Sequence, residues 1–217
     1  MPTTRLQRLL PLSGALFAAV LTAGLVLTMG EPDNNASKAE LFSYWHDHHG
    51  VQLISCLILV PYGAVLLIAF SAEVRRAIRS GEAGEAIYSP IAYAGGILAA
   101  AGLLVTGSLG AAVATAAHNS DSNATYTLAQ LQSFDWLPWM VGFALMLLAS
   151  GIGGIRTNAL PKPLAIIAVV LGVAFLTPVG YFALFALPLW MLATSIALYR
   201  AQRTGGRIVP RPAPQPA

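Results

Sequence analysis

The sequence predicts an all-α protein, a polytopic transmembrane bundle of about six helices. Two observations lead to this prediction: long apolar stretches that almost lack ionisable side chains, and gap charges that alternate in sign. Hydrophobic residues make up 56% of the 217 residues and charged residues 10%, with a mean hydropathy of +0.67. Soluble domains carry about 25% charged residues. We therefore expect most of the surface to face lipid.

The apolar stretches define the membrane crossings. A crossing needs about 20 apolar residues to cover about 30 Å of hydrocarbon. Four stretches fit one crossing each, at 9–30, 51–70, 91–117 and 137–155, and a fifth at 164–199 is too long for one. Pro178 and Gly180 predict a break that divides it into 164–179 and 183–199, because proline removes a backbone donor and glycine permits a tight turn. A re-entrant hairpin is the alternative for this stretch.

The gap charges predict the orientation. Every lysine and arginine except Lys38 falls before the first stretch, in alternate gaps, or after the last stretch. Basic residues mark the cytoplasmic side of membrane proteins. Both termini are thus predicted on the cytoplasmic side of the membrane. Arg5 and Arg8 precede the first stretch, which we interpret as an uncleaved crossing, although a cleaved signal peptide is the alternative.

The domain organisation follows from the same pattern. Residues 1–203 are predicted to form a single transmembrane helical domain. The segment 204–217 contains four prolines and two glycines, and this composition predicts a disordered cytoplasmic tail.

Each of the two outer loops is predicted to contain a short helix, lying along the interface or capping the bundle. Ser37 and Glu40 form the S-x-x-E pattern of a capping box. Asp121 or Ser122 can cap the second helix. Tyr44 and Trp45 suit the aromatic belt at the membrane interface.

All four histidines fall on the predicted outer side. His46 and His49 are spaced so that both can face one point, and His118 and Asp121 can complete a divalent metal site. Two other interpretations stay open: interfacial histidines bonded to water and headgroups, and pH sensing near the ordinary histidine pKa. No other cofactor is predicted.

The apolar stretches lack the residues that most membrane chemistry needs. No ionisable side chain lies in the middle of a crossing, which argues against proton relays, a retinal lysine or a buried haem. Glu73 is interpreted as a surface charge at an inner helix end. The single cysteine, Cys56, excludes a disulfide framework and is expected to pack as a small hydrophobe. No catalytic residues are predicted, and no nucleic-acid partner.

The third crossing is rich in small residues at helical spacing. Gly102, Thr106 and Gly110 form one stripe, and a second stripe begins at Gly107. Such stripes let helix backbones approach closely. Two stripes predict a central helix with neighbours on both sides, and a homodimer through one stripe is the alternative.

Three segments resemble a group of small uncharacterised polytopic membrane proteins of high-GC Gram-positive, actinobacterial type. The segments are 37–50, 75–84 and the closing Ala186-Leu-Pro-Leu-Trp-Met191. The resemblance implies a six-helix inner-membrane protein and brings no catalytic residues.

The leading functional prediction is a multi-pass accessory, interaction or structural protein, with the lipid bilayer and a membrane protein as partners. One alternative is a small-molecule or lipid carrier with a cavity opening outward between the second, third and sixth crossings. The other is an outer-face metal site or hydrolase that uses the histidine cluster.

Overall fold

The computed structural model describes residues 9–33 and 35–203. These residues form helices, turns and loops, without any strand, so the predicted all-α class is confirmed. Five of the helical segments in this part are long and apolar enough to cross a membrane. Arg5, Arg8 and the tail 204–217 lie outside the described residues, so the predictions made for them stay predictions.

Eight helices make up the described part of the chain. They are α1 (Ser13–Leu27), α2 (Lys38–Asp47), α3 (His49–Arg79), α4 (Tyr88–His118), α5 (Ser122–Gln132), α6 (Trp136–Thr157), α7 (Lys162–Ala174) and α8 (Gly180–Arg203). A 3₁₀ turn, Leu10–Leu12, leads into α1. Within α3, the segment Ser55–Leu59 is a π-helix.

Side chains fix the starts of the two short helices, as the sequence predicts. The Glu40 amide donates to Ser37 Oγ at 3.3 Å, and the Ser37 amide donates to Glu40 Oε2 at 2.9 Å, which completes the capping box of α2. Asp121 caps α5 by accepting from the amides of Asn123 and Ala124 at 3.1 and 2.9 Å. These bonds satisfy amides that the first helical turn leaves unpaired.

Helix α4 is central, with α3 on one side and α6 on the other. A Cβ at Gly102 would lie 2.5 Å from the backbone nitrogen of Trp139 in α6. A Cβ at Gly107 would lie 3.0 Å from the Cys56 carbonyl oxygen in α3. The small residues of the third crossing therefore pack against neighbours within the chain on both sides.

Helices α5 and α6 together form one interrupted segment antiparallel to α4. Gly95 of α4 faces Met146 of α6, and Gly102, further along α4, faces Trp139, which comes earlier in α6. Further along α4, the same register brings Gly110 beside Gln132 at the end of α5. We expected α5 to be a separate loop helix. Instead it continues the line of α6 beyond a break at 133–135, and it packs beside the last turns of α4.

The molecule has two separate hydrophobic cores. The larger core lies among α1, α3, α4, α6, α7 and α8, and its α4 members end at Ala100. The smaller core is centred on Trp45, Val113, Ala114 and Ala117, with Leu128 packed against it. We call the region around the larger core the bundle. We call α2, α5, the first turns of α3 and the last turns of α4 the cap.

Two elements of the bundle end below the cap. Helix α1 ends at Leu27, and a Cβ at Gly30, just beyond it, would lie 3.9 Å from Tyr44 in the cap. The turn between α7 and α8 lies near the start of α6, because a Cβ at Gly180 would lie 2.4 Å from Met140 Cε. The bundle therefore contains elements that the cap lacks.

The last apolar stretch is broken where the sequence predicts. Helix α7 ends at Ala174, residues 175–179 turn, and α8 begins at Gly180. The Trp190 indole N–H donates to the Leu164 carbonyl at 2.9 Å, which joins α8 to the first turn of α7. Helix α7 has 13 residues. It is therefore about 20 Å long, shorter than the hydrocarbon thickness of a bilayer.

Two side chains lie where the sequence analysis did not place them. Glu73 is only 5% exposed and accepts hydrogen bonds from Arg76 and, at 3.1 Å, from Gln202 of α8. It therefore ties α3 to α8 and is not a surface charge. Trp45 is 1% exposed, because it fills the core of the cap, and so it does not belong to an interfacial belt.

Candidate functional site

A group of polar side chains lies between the two hydrophobic cores, at the height where α3 and the α5–α6 segment are irregular. We call it the polar cluster. Its members come from the loop after α1, from α2, from α3, from α4, from α5 and from the α5–α6 break. They are Glu31, Tyr44, Gln52, Cys56, Thr106, Gln132 and Asp135.

The π-helix of α3 forms one wall of the polar cluster. It includes Cys56, which faces Gly110 of α4: a Cβ at Gly110 would lie 2.7 Å from Cys56 Sγ and 3.5 Å from Gln132 Nε2. A glycine at this position lets the thiol and the amide approach the same point of α4. Single π-helical turns inside α-helices occur frequently at functional sites.

Gln52 and Tyr44 close the cluster on the side of the cap. Gln52 is 3% exposed, and its Nε2 donates to the Tyr44 hydroxyl at 2.9 Å. This bond links the first turn of α3 to α2. It also satisfies a buried amide that would otherwise cost free energy.

The α5–α6 break supplies the opposite wall. The Asp135 amide donates to the Gln132 carbonyl at 3.1 Å, so the chain turns tightly between the two helices. The Asp135 carboxylate lies within hydrogen-bonding reach of the Thr106 hydroxyl on α4. The break therefore directs a carboxylate and an amide side chain toward the middle of α4.

Two acceptor atoms at this break are buried without a partner. Gln132 Oε1 and Asp135 Oδ2 have no hydrogen bond within the described part of the chain. Burying an unsatisfied polar group costs about 1–3 kcal/mol, and native structures contain few of them. Each atom keeps an acceptor site that a buried water or another bound donor would satisfy.

The polar cluster is acidic. Desolvation of the carboxyl group by surrounding protein, and then the negative charge of Asp135, raise the pKa of Glu31 to about 7, although much of the Glu31 residue remains exposed. Desolvation, followed by the charge of Glu31, also raises the pKa of Tyr44. Within the described residues, neither Glu31 nor Asp135 forms an ion pair with a basic side chain.

The predicted metal site is only partly assembled. The rings of His49 and His118 stack with centroids 4.5 Å apart. His46 lies with Nδ1 3.0 Å from the Ala117 carbonyl oxygen, and the Asp121 carboxylate caps α5. Within residues 9–33 and 35–203, no group of three histidine, cysteine or acidic side chains is arranged to hold a metal ion. The metal site stays a prediction without support from the geometry.

A shallow cavity opens on the outside of the α3–α4 contact, and its lining contains no member of the polar cluster. Its volume is about 620 Å³. Leu53 and Leu57 of α3, small residues of α4 and the turn before α5 line it. The sequence predicted an outward cavity among the second, third and sixth crossings. The third helix that lines the cavity is α5, which contributes Ala124, and not α8. Helix α8 begins at Gly180, below the level of the cap.

The sequence analysis did not single out most of the polar cluster. Glu31 and Asp135 were read only as charges in outer gaps, and Gln52 and Gln132 were not considered. One signal was present: Gln132, Ser133 and Asp135 fall close together just before the fourth crossing. No protein-family model, curated protein or solved structure matches the chain.

Proposed function

We propose that the chain is a six-crossing protein of the bacterial plasma membrane whose cap binds a small polar ligand on the outer side. The binding role corresponds to the small-molecule binder that the sequence analysis left as an alternative to an accessory or interaction protein. The observation that carries it is the pair of buried acceptors, Gln132 Oε1 and Asp135 Oδ2, at a helix break. Broken helices in membrane proteins are tolerated where they line a cavity or binding site.

The end of the bundle away from the cap has the features of a cytoplasmic interface. Three arginines stack there on tyrosine rings: Arg75 on Tyr93, Arg156 on Tyr88 and Arg203 on Tyr199, with 5.2, 5.4 and 4.8 Å to the ring centroids. Basic and aromatic side chains together are typical of that interface. This supports cytoplasmic ends for α3, α6 and α8.

Exposed aromatic side chains near the start of the cap support the position of the other interface. Tyr62, Phe134 and Tyr181 are 67%, 69% and 63% exposed. The apolar segment of α1, including its 3₁₀ turn, has 18 residues and covers about 27 Å, close to the hydrocarbon thickness. The outer boundary of the hydrocarbon then lies at the polar cluster, and the cap projects into the outer aqueous phase.

The chain contains its own reporter for this proposal, because Cys56 is its only cysteine. We expect a membrane-impermeant maleimide to label Cys56 from the outside of sealed cells or right-side-out vesicles. Gly110→Ala should slow the labelling, since the added methyl would lie 2.7 Å from the thiol. Gly24→Ala is the matched control, because a Cβ there meets no atom within 4 Å.

A second cysteine position fixes the sidedness of the measurement. In a Cys56→Ser background, Ser80→Cys places a thiol at the exposed end of α3 away from the cap. It should react only after the membrane is permeabilised. If Cys56 reacts only in denatured protein, the polar cluster is closed to the outside and the proposed function is wrong.

A further inference from the structure

We propose that the shallow cavity on the outside of the α3–α4 contact holds a lipid of the outer leaflet whose headgroup carries an ammonium group, such as phosphatidylethanolamine. We call this cavity the outer groove. The proposal goes beyond the small polar ligand of the proposed function, because it concerns a different surface. It shares with the proposed function only the position of the cap outside the hydrocarbon.

The outer groove is apolar along most of its length. Leu53 and Leu57, one turn apart on α3, form one side, and Leu57 is 59% exposed. The other apolar members are small residues of α4 and α5: Ala111, Ala112, Ala116 and Ala124. The volume of about 620 Å³ falls within the range of about 300–1,000 Å³ that is common for ligand pockets. The short alanine side chains leave room beside the leucines for a hydrocarbon chain.

The lining becomes polar toward the end of α4. Thr115, Asn119 and Asp121 line this part of the groove, and all three are exposed. The Thr115 hydroxyl donates to the Ala111 carbonyl at 2.8 Å. Both capping amides of α5 donate to Asp121 Oδ1, so the cap does not use Oδ2. An apolar surface that ends in an amide and a carboxylate matches an amphiphile, with its chain at the leucines and its head at Asp121.

The outer groove crosses the outer boundary of the hydrocarbon. The Arg75 guanidinium lies over the Tyr93 ring, and this pair marks the inner boundary. A hydrocarbon thickness of about 30 Å corresponds to about 20 helical residues. Counting from this pair places the outer boundary near Ser55 on α3 and Val113 on α4. The end of the groove at Leu57 is therefore level with acyl chains and its polar end with headgroups, in the same order as in a bilayer lipid.

The charge of the lining favours one class of headgroup. Among the described residues that line the outer groove, Asp121 alone is charged. Its carboxylate attracts an ammonium group and repels the net negative charge of phosphatidylglycerol. The Asn119 side-chain amide supplies two donors, which suit a lipid phosphate. A zwitterionic lipid with an ethanolamine head matches both side chains.

Photo-crosslinking in proteoliposomes tests this proposal with the full-length protein. The probes are a phosphatidylethanolamine and a phosphatidylglycerol that carry the same diazirine near the carboxyl end of one acyl chain. Mass spectrometry measures the label in residues 115–124, which lie above the hydrocarbon. We expect the ethanolamine probe to label this segment. An exposed ion pair supports a preference of about two- to fivefold over the glycerol probe.

A bulky side chain in the outer groove tests whether the lipid occupies it. Thr115 is exposed and lines the groove, so Thr115→Trp fills the space without entering the core of the cap. The label in residues 115–124 should be lost. Ser43→Trp is the matched control, because Ser43 lies on the exposed side of α2 outside the groove. It should keep the label.

Removal of one charge tests the headgroup. Asp121→Asn should bring the yields of the two probes close together. It should also keep the start of α5, since asparagine is about as good an N-cap as aspartate, so it remains informative if Thr115→Trp does not fold. Asp47→Asn is the matched control, because Asp47 is an exposed acid of the cap outside both the outer groove and the polar cluster. It should keep the preference.

The outcomes separate this proposal from the proposed function. Equal yields from the two probes in the wild type would overturn the ammonium headgroup. Equal label in Thr115→Trp and in the wild type would overturn the groove as the site, since the contact would then be ordinary bilayer lipid. Label confined to the part of α4 below residue 115 would also overturn it, and would leave the outer groove to water or to a partner protein. A Cys56 that reacts only in denatured protein contradicts the proposed function and leaves the lipid labelling unaffected.

Discussion

At the scale of single residues, Glu31 carries the property of the polar cluster that is easiest to measure. The surrounding protein and Asp135 raise its pKa from 4.5 to about 7. The folded protein therefore binds the Glu31 proton more tightly than the unfolded chain does. By linkage, Glu31 favours folding fully below its unfolded pKa, and this contribution is lost as the pH rises through the folded pKa.

The pH dependence of stability tests this assignment. We expect the melting temperature of the purified protein to fall between about pH 5 and pH 8, and to fall less in Glu31→Gln, where the proton cannot be lost. Asp135, Tyr44 and Cys56 face Glu31 and are unchanged in that variant. Asp47→Asn should follow the wild type. Identical pH profiles for the wild type and Glu31→Gln would show that the Glu31 carboxyl is fully hydrated.

Individual residues of the polar cluster were only partly predictable. The sequence placed Asp135 and Glu31 in gaps between apolar stretches, on the same predicted side of the membrane, because charge avoids apolar stretches. Their approach to each other depends on α1 ending near the level of Cys56, which no local pattern specifies. Trp45 was misplaced because an indole suits both a membrane interface and a hydrophobic core. The core of the cap decided between the two.

At the scale of helices, the contact between α4 and α6 leaves the least room for a side chain. Of all the described glycines, Gly142 is the one whose added Cβ would come nearest to the backbone of a neighbouring helix. A Cβ at Gly142 would lie 2.2 Å from the Ala99 nitrogen and 2.6 Å from the Ala99 Cα. These are backbone atoms of a buried helix, so they cannot move aside without shifting α4. Small residues at this contact are a requirement of the packing.

Alanine at two glycines should therefore have clearly different effects on stability. Gly142→Ala is expected to destabilise the protein, because overpacking costs about 1–3 kcal/mol and helix propensity offsets at most about 1 kcal/mol. Gly24→Ala should leave stability unchanged or raise it slightly, because a Cβ there meets no atom within 4 Å. Thermal unfolding of both variants in the same detergent measures the difference. A Gly142→Ala protein as stable as Gly24→Ala would mean that α4 and α6 pack less closely.

The helices also show which local signals are reliable. The capping residues Ser37 and Asp121 predicted the starts of α2 and α5, because a cap is a property of a few consecutive residues. The direction of α5 was not predicted, since it depends on the long-range register with α4. The π-helical turn of α3 was not predicted either. Its sequence, Ser-Cys-Leu-Ile-Leu, reads as ordinary apolar helix.

At the scale of the whole molecule, charge and hydropathy predicted the helical class and the break near Pro178. They did not predict two hydrophobic cores with a polar layer between them. That division arises because α1 and the α7–α8 turn end lower than α3 and α4. Helix ends are set by sequence, but their relative heights are set by packing contacts such as that of Gly180 with Met140.

The relative heights of the helix ends lead to one prediction about membrane topology, which concerns the α7–α8 turn. Gly180 lies beside Met140, only a few residues below Asp135. In the proposed orientation the turn is thus within about 10 Å of the polar cluster, judged from the helical rise. Thr177 in the turn is exposed. In a Cys56→Ser background, Thr177→Cys should therefore react with a membrane-impermeant maleimide from outside.

Two reference positions calibrate that measurement. Ser43→Cys on the exposed side of α2 should react faster than Thr177→Cys, because the cap projects further from the membrane. Ser80→Cys should react only after permeabilisation. If Thr177→Cys reacts in detergent but not in sealed vesicles, while Ser43→Cys reacts in both, the turn is inside the bilayer. Helices α7 and α8 would then form a re-entrant hairpin, and the membrane would be crossed four times, since both ends of the hairpin lie on the cytoplasmic side.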